Sequence, residues 1–292
     1  MAFLGGGVAR RQKIEIGGIN IKAHPHSAGT YGDLIDALYR LKKVAKIRGD
    51  RYGLITMINR SSEDEDFVFG VLSTFIEIET GGDWFNTDTM EEASSNDISE
   101  VRIPEHLHPN LKTFRFMFNL RHHELVFEHY SEGERLTHLS ALNFFKNLAS
   151  ERSIIEKFGK ITCNIITEKG GVDKIFSIPR ITDLEIFIEK PNSDLWGEDF
   201  EEQAEGHLDD KNAQSMFVKY KANKGQGIKR DEDLDALIRT SLNNGRSVAK
   251  GYGPDGHVSV STDKFPKVIQ EMYDQRVEPG AVFRRLARAF RR

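Results

Sequence analysis

The sequence holds a single cysteine in 292 residues, Cys163, so no disulfide can form within the chain. A reducing cytoplasm is the expected setting. Because Cys163 alternates with Ile161 and Ile165 in an apolar strand pattern, a buried structural thiol is expected rather than a nucleophile. Long hydrophobic runs are missing too: no stretch approaches the roughly 20 apolar residues of a membrane-spanning helix. Met1–Val8 is apolar but short and lacks a basic start, which argues against a secretory signal. No fixed-period repeat and no low-complexity tract is present.

The usual cofactor and nucleophile motifs are absent as well. Gly225–Gln226–Gly227 and Gly251–Tyr252–Gly253 do not continue as G-x-x-x-x-G-K-[ST], nor open a helix as G-x-G-x-x-G. There is no G-x-S-x-G. A nucleotide-dependent enzyme is therefore not expected, no cofactor is assigned, and no catalytic residue is named. His24 and His26, two apart, could share a strand face and chelate a metal, but they flank a proline at an element end, where capping or surface roles are ordinary. His106 and His108 read the same way, and His122–His123 reads as a hairpin turn. Asp194–Asp210 supplies eight acids without a Lys or Arg; a solvated helix face is the expected form, a two-metal nuclease cluster the alternative.

What remains is a soluble, charge-rich composition, 38% hydrophobic and 29% charged, with a mean hydropathy of -0.48. The net charge of -4 hides blocks of opposite sign. Residues 1–60 carry 11 Lys+Arg against 4 Asp+Glu, residues 61–110 carry 1 against 13, and residues 276–292 carry 6 against 1.

Periodicity predicts an α+β fold with mixed or antiparallel sheets, helices packed on one face, and a mainly helical C-terminal region containing a small hairpin. Three regions are expected: 1–110, a βαββ unit ending in an acidic loop at 80–110; 111–191, a ββαβαβ core; and 192–292, helical with a hairpin and a basic tail. In the first, Lys13–Lys22 reads as a strand with a bulge at Gly17–Gly18, and Thr30 caps a helix carrying Tyr31, Leu34, Ile35, Leu38 and Leu41. Strands follow around Leu54–Asn59 and Phe67–Ile78, and Trp84 and Phe85 anchor the loop. In the second, Phe114–Leu120 pairs with Leu125–His129, a helix carries Leu139, Leu142, Phe145 and Leu148, and strands run through Ile161–Ile166 and Leu184–Ile188. In the third, Asn192–Ser193–Asp194 starts a helix, and helices are expected at Ala213–Tyr220, at Lys267–Tyr273 and from Asp231 to Leu242, the last closed by Asn243–Asn244–Gly245. Ser247–Gly251 and His257–Ser261 form the hairpin. In the tail, Val282, Phe283, Leu286 and Phe290 line one helical side and arginines the other.

Two basic segments are the candidate binding residues: Arg40, Lys42, Lys43, Lys46, Arg48 and Arg51, and Arg284, Arg285, Arg288, Arg291 and Arg292. Ammonium and guanidinium groups in such clusters suit successive phosphates. The bland alternative is a solvated surface helix and a docked C-terminal helix. A basic amphipathic helix also suits an anionic membrane or an acidic partner, a second copy included.

The phrases KIEIGGINIKAHPHSAGTYGDLIDALY, IRGDRYG, DWFNTDT, IPEHLHPNLKTFRFMFNL, IFSIPRITDLEIFIEKPN and NNGRSVAKGYGPDG resemble an uncharacterised bacterial family, a domain of unknown function met in mobile and phage-defence regions. The order of elements is similar to RexA-type phage-exclusion sensors and to the DNA-binding subunit of the Kiwa defence system. That likeness implies a homodimer that binds double-stranded DNA without sequence preference. The expectation is thus a cytoplasmic, non-enzymatic DNA-binding protein of a phage-defence or stress-sensing system. The rivals are an interaction subunit holding an effector protein and a metal-dependent nuclease.

Overall fold

Arg11–His24 forms one long strand, β1, in which every residue from Ile14 to Ala23 is buried. The computed structural model that contains it describes residues 10–24, 29–60, 64–191 and 199–290. The expected helix start at Asn192–Ser193–Asp194, together with His26, Arg291 and Arg292, lies outside the described residues.

In chain order there follow α1 (Thr30–Arg40), β2 (Ala45–Arg48), β3 (Arg51–Arg60), β4 (Phe67–Ile76), β5 (Phe85–Asn86), β6 (Glu91–Glu92) and α2 (Ser95–Glu100). Next come β7 (Lys112–Asn119), β8 (Glu124–Ser131), β9 (Glu134–Arg135), α3 (His138–Ala149), α4 (Arg152–Phe158), β10 (Lys160–Ile165), α5 (Gly171–Ile175) and β11 (Arg180–Glu189). The remainder is α6 (Asp199–Asp209), β12 (Ser215–Lys221), α7 (Glu232–Asn244), β13 (Gly245–Gly253), β14 (Gly256–Ser261), β15 (Val268–Asp274) and α8 (Pro279–Arg288). The fold is α+β with antiparallel sheets.

The large sheet runs β10-β1-β8-β7-β4-β3-β2, with β15 paired to β1 and β9 to β8, and it curls into a half-barrel. The odd-numbered face of β1 (Ile19, Ile21, Ala23) joins a core with Leu34, Ile35 and Leu38 of α1 and Phe144, Phe145 and Leu148 of α3. The even-numbered face (Ile14, Ile16) meets Val282, Phe283, Leu286 and Phe290 on and just beyond α8, which packs from the opposite side. Full burial of a side chain such as Phe283 or Phe290 stabilises by about 1.5–3 kcal/mol.

Gly17 and Gly18 sit where those two layers press hardest. A Cβ on Gly17 would overlap the His138 ring, and one on Gly18 would fall 2.6 Å from Cε1 of Phe290. No bulge lies there; the register of β1 against β8 shifts between Glu15 and Ile16 instead. The glycines serve close approach on both faces, not a slip of phase.

Several other expectations give way to tertiary pairing. Ala213–Tyr220 is not a helix: Ser215–Lys221 is β12, because Met216, Val218 and Tyr220 alternate and the edge of β11 accepts them. Lys267–Tyr273 is likewise not a helix, since Val268–Asp274 takes the edge of β1 along Arg11–Gly17. The strands of 111–191 divide between two sheets, β7, β8 and β10 in the large one and β11 in the small one, so the block does not form one sheet. On α3 the buried stripe is His138, Ala141, Phe144, Phe145 and Leu148, while Leu139 is 54% exposed. A step of three drifts off a 3.6-residue period, so Leu139 falls away from the core.

Gly29, in the left-handed region, precedes α1 where Thr30 was expected to cap it. α7 runs straight into β13 through an extended Gly245, whose missing Cβ leaves room for the backbone of Phe187. In the acidic loop Trp84 is half-buried, but Phe85 is 67% exposed and anchors nothing. Cys163 is buried, and burial pushes its thiol up to about 12.

The small sheet runs β12-β11-β13-β14. Its inner face (Leu184, Ile186, Ile188, Ala249) packs on α5 and α7 through Val172, Ile175, Leu234, Ile238 and Leu242.

Two outcomes follow from the pressure on β1. Gly17→Ala and Gly18→Ala should each cost about 1–3 kcal/mol, read as a lower urea midpoint at unchanged m. A wild-type midpoint in both would mean the rings can step aside. Burial also depresses His138 from its ordinary 6.5 to about 4, so between those values only the unfolded chain takes up the proton. Stability should therefore fall as pH drops from about 6.5 to about 4, by more in the wild type than in His138→Asn.

Candidate nucleic-acid interface

The two basic segments lie on different parts of the fold. The arginines of α8 are taken up by the chain's own carboxylates. Arg285 Nη1 donates to Glu271 Oε2 at 3.0 Å, Arg288 Nε donates to Asp64 Oδ2 at 2.9 Å, and Arg284 lies 3.5 Å from Glu278. α8 also packs on β1, β7 and β8, whereas Lys46 and Arg48 belong to β2 at the far end of the sheet order. The structure therefore does not join the α8 arginines and the Arg40–Arg51 segment into one surface.

The Arg40–Arg51 segment is different. Lys43 pairs with Glu151 at 2.8 Å and Arg51 donates to Thr74 at 3.1 Å, while Lys42 lies over the Tyr39 ring and Lys46 over Tyr52. Arg40, Lys42, Lys46 and Arg48 are exposed, and none of them makes an ion pair with a described carboxylate.

Curling of the large sheet also gathers cations that the sequence did not single out. The two ends of its strand order are β2 and β10, and α3 touches both. Asn143 and Asn147 of α3 donate to the carbonyls of Ile47 and Lys46 on β2, at 3.1 and 2.8 Å. One residue before Asn147, Lys146 lines a cleft on the β10 side. That cleft, of about 550 Å³, is bounded by α3, by β10 and by the small sheet. Lys146, Lys160 and Arg246 supply its positive charge, Glu189 and Asp263 its negative charge, and Leu139, Leu142 and Phe187 its apolar wall. On β2 Ala45 and Ile47 face α3 in the core, so the alternating Lys46 and Arg48 point to the other side of the sheet and do not join Lys146. Lys146 and Arg246 make no ion pair with a described residue, and Lys160 donates to Gln214 at 3.3 Å. Nothing in the linear pattern marks Lys146, Lys160 and Arg246, which stand far apart in sequence.

A second polar cluster lies where the two sheets meet. Lys22 on β1 is 5% exposed and donates to Oδ1 of Asn244 at the end of α7. Asn244 donates in turn to Glu201 at 2.8 Å, and Asn164 donates to Glu189 at 2.7 Å. Across the strands, Asn20 stands opposite Asn164 and Lys22 opposite Thr162. The Asn20 Oδ1 and Thr162 Oγ1 atoms are buried without a hydrogen-bond partner. Burial lowers the Lys22 ammonium to about 8, against the pull of Glu201, Glu205, Glu189 and Glu124, which favour its charge. These polar contacts link the two sheets.

His123, in the β7–β8 turn, is 2% exposed and stacks on Tyr31 at 3.6 Å between ring centres. His108 stacks on Phe75 at 4.5 Å. Among the described residues no three or more His, Cys, Asp and Glu side chains gather in a group able to hold a metal, and no helix is long and apolar enough to cross a membrane.

The junction sets a pH dependence. The folded Lys22 loses its proton near 8 and the unfolded one near 10.5, so stability should rise as pH climbs between those values. The slope from this group is at most about 1.4 kcal/mol per pH unit. Comparing urea midpoints at the two ends of that window in wild type and Lys22→Met checks this: the gain should vanish in the variant, and an equal gain in both would refute it.

No curated protein matches the chain. The model of one protein family does match, over residues 12–288, almost the whole of the described fold. The chain therefore belongs to the DUF4747 family, described as a domain of unknown function.

Proposed function

We propose that this protein binds nucleic acid through phosphate contacts, without reading sequence and without catalysing a reaction. The observation that carries the reading is the basic band in the cleft beside α3. Lys146 on the helix, Lys160 on β10 and Arg246 on β13 line that cleft together. No described carboxylate pairs with Lys146, Lys160 or Arg246. Lys146, Lys160 and Arg246 outnumber Glu189 and Asp263 in the cleft, which gives it a net positive charge on a chain of net charge -4. Contacts of this kind go to the backbone and carry no base information.

The likeness to RexA-type sensors implies a phage-defence setting in the cytoplasm and a homodimer on double-stranded DNA, whereas the phosphate contacts themselves do not distinguish a duplex from a single strand. A second reading, an interaction subunit that holds an effector protein or a second copy, is favoured by the face beside α8. There Met57 is 40% exposed next to Phe67, Phe69 and Met117 around a cleft of about 330 Å³.

The first reading is tested by anisotropy titration of labelled DNA and RNA between about 50 and 200 mM salt. Affinity should fall steeply across that range, and Lys146→Glu with Lys160→Glu should weaken binding at least tenfold and flatten the log–log salt slope by about one per lost contact. Arg284→Ala with Arg285→Ala should leave affinity within about twofold, because those arginines already serve Glu278 and Glu271. Absence of binding at the lowest salt would overturn this reading in favour of the second.

A further inference from the structure

The small sheet keeps its helices on one side. α5 and α7 cover Leu184, Ile186, Ile188 and Ala249, and the opposite face is exposed along Phe217, Lys219, Lys250 and Tyr252, with its Phe187–Arg246 end bordering the cleft lined by α3 and β10. Strand alternation decides what stands on that open face. On β12 it is Phe217, Lys219 and Lys221; on β11 Asp183, Glu185 and Phe187; on β13 Arg246, Val248, Lys250 and Tyr252.

The rows across the sheet are ordered. At one end Phe217 stands directly opposite Phe187, which stands opposite Arg246. At the other end Tyr252 stands opposite Arg180 and His257, with the Arg180 guanidinium 4.6 Å from its ring centre and His257 edge-on at 5.7 Å. The middle rows are charged: Lys219 pairs with Glu185 at 2.7 Å, and Lys221 and Lys250 flank Asp183. Phe217 is 59% exposed and Tyr252 46%. Arg246 and Tyr252 are six residues apart on β13, which separates the two aromatic ends by about 20 Å.

We infer that this open face seats the unpaired bases of a single strand, with the bases stacked on Phe217 and Phe187 at one end and on Tyr252 at the other. The inference rests on the nucleic-acid reading above and names the strand that the site takes. Three features favour it. The face runs into the cleft that holds Lys146 and Lys160, since Phe187 and Arg246 line both, so a backbone on the basic band continues onto the sheet. Aromatic rings divided by lysine-bearing rows match a strand that alternates flat bases with phosphates. An apolar protein partner would have to desolvate the charged middle rows, which is unfavourable. A duplex keeps its bases stacked inside and cannot lay them on a sheet.

The test uses the full chain, a labelled oligo-dT of about 12 nucleotides and a hairpin duplex of matched length, at low salt. The single strand should bind at least tenfold tighter than the duplex. Phe217→Ala with Tyr252→Ala should lower single-strand affinity about tenfold or more and leave duplex affinity unchanged. Both side chains are exposed, so the double variant should keep the wild-type thermal midpoint. Phe217→Trp should restore stacking, with indole fluorescence quenched on addition of the strand. If the aromatic variant binds the single strand like wild type while the Lys146→Glu, Lys160→Glu variant does not, the base platform is refuted and the phosphate reading stands. Equal affinity for duplex and single strand refutes it in the same way. If neither nucleic acid binds at low salt, both are refuted.

Discussion

Two rings hold the structure around one dipeptide. His138, the first residue of α3, closes on Gly17 from one side of β1, and Phe290, beyond the end of α8, closes on Gly18 from the other. A side chain on either glycine would push a helix off the sheet. β1 also shares hydrogen bonds with β8 along one edge and with β10 and β15 along the other. It is thus enclosed on both faces and both edges, and the N-terminal strand, the central hairpin and the last helix are tied into one core. Because interiors are packed to near-crystalline density, such a strand has no room to relax.

The joint between the sheets follows a different rule. The three hydrophobic clusters are apolar, but between the sheets Lys22 on β1 bonds Asn244 on α7, and Asn164 on β10 bonds Glu189 on β11. Burying an ammonium group costs more than it returns unless polar partners surround it. Here four glutamates and an asparagine supply them. Such a joint specifies one geometry, because a small sliding of the sheets would strand the charge. That geometry sets the width of the cleft between β10 and the small sheet, and with it the spacing of Lys160 and Arg246.

Charge on the surface is sorted by the same packing. Three of the tail arginines, Arg285, Arg288 and Arg284, are paired with Glu271, Asp64 and Glu278 once α8 docks. Those pairs are exposed and contribute little to stability, but they occupy these three arginines in place of external phosphates. The cleft beside α3 keeps a net positive charge, because α3 itself, His138–Ala149, contains no acidic residue and Lys146, Lys160 and Arg246 outnumber Glu189 and Asp263 there.

Much of the architecture was legible in the linear pattern. The β7–β8 hairpin, the stripe of α1, the Asp231 cap whose Oδ1 accepts from Leu234 at 2.8 Å, the β13–β14 hairpin and the two-faced α8 all follow from periodicity and capping chemistry acting over a few residues. The exposed Arg40–Arg48 cations could also be read there. What could not be read were partners hundreds of residues away. β15 is a strand because the far edge of β1 is open to it, and β12 because β11 is. Lys146, Lys160 and Arg246 form one cleft because α3 lies inside the curled sheet, and Phe217 stands in the open because every helix of the small sheet packs on its other side. Local pattern determined which face of each element is apolar. Tertiary structure decided which faces remain uncovered, since that depends on long-range contacts whose loop-closure entropy is met only when the whole core forms.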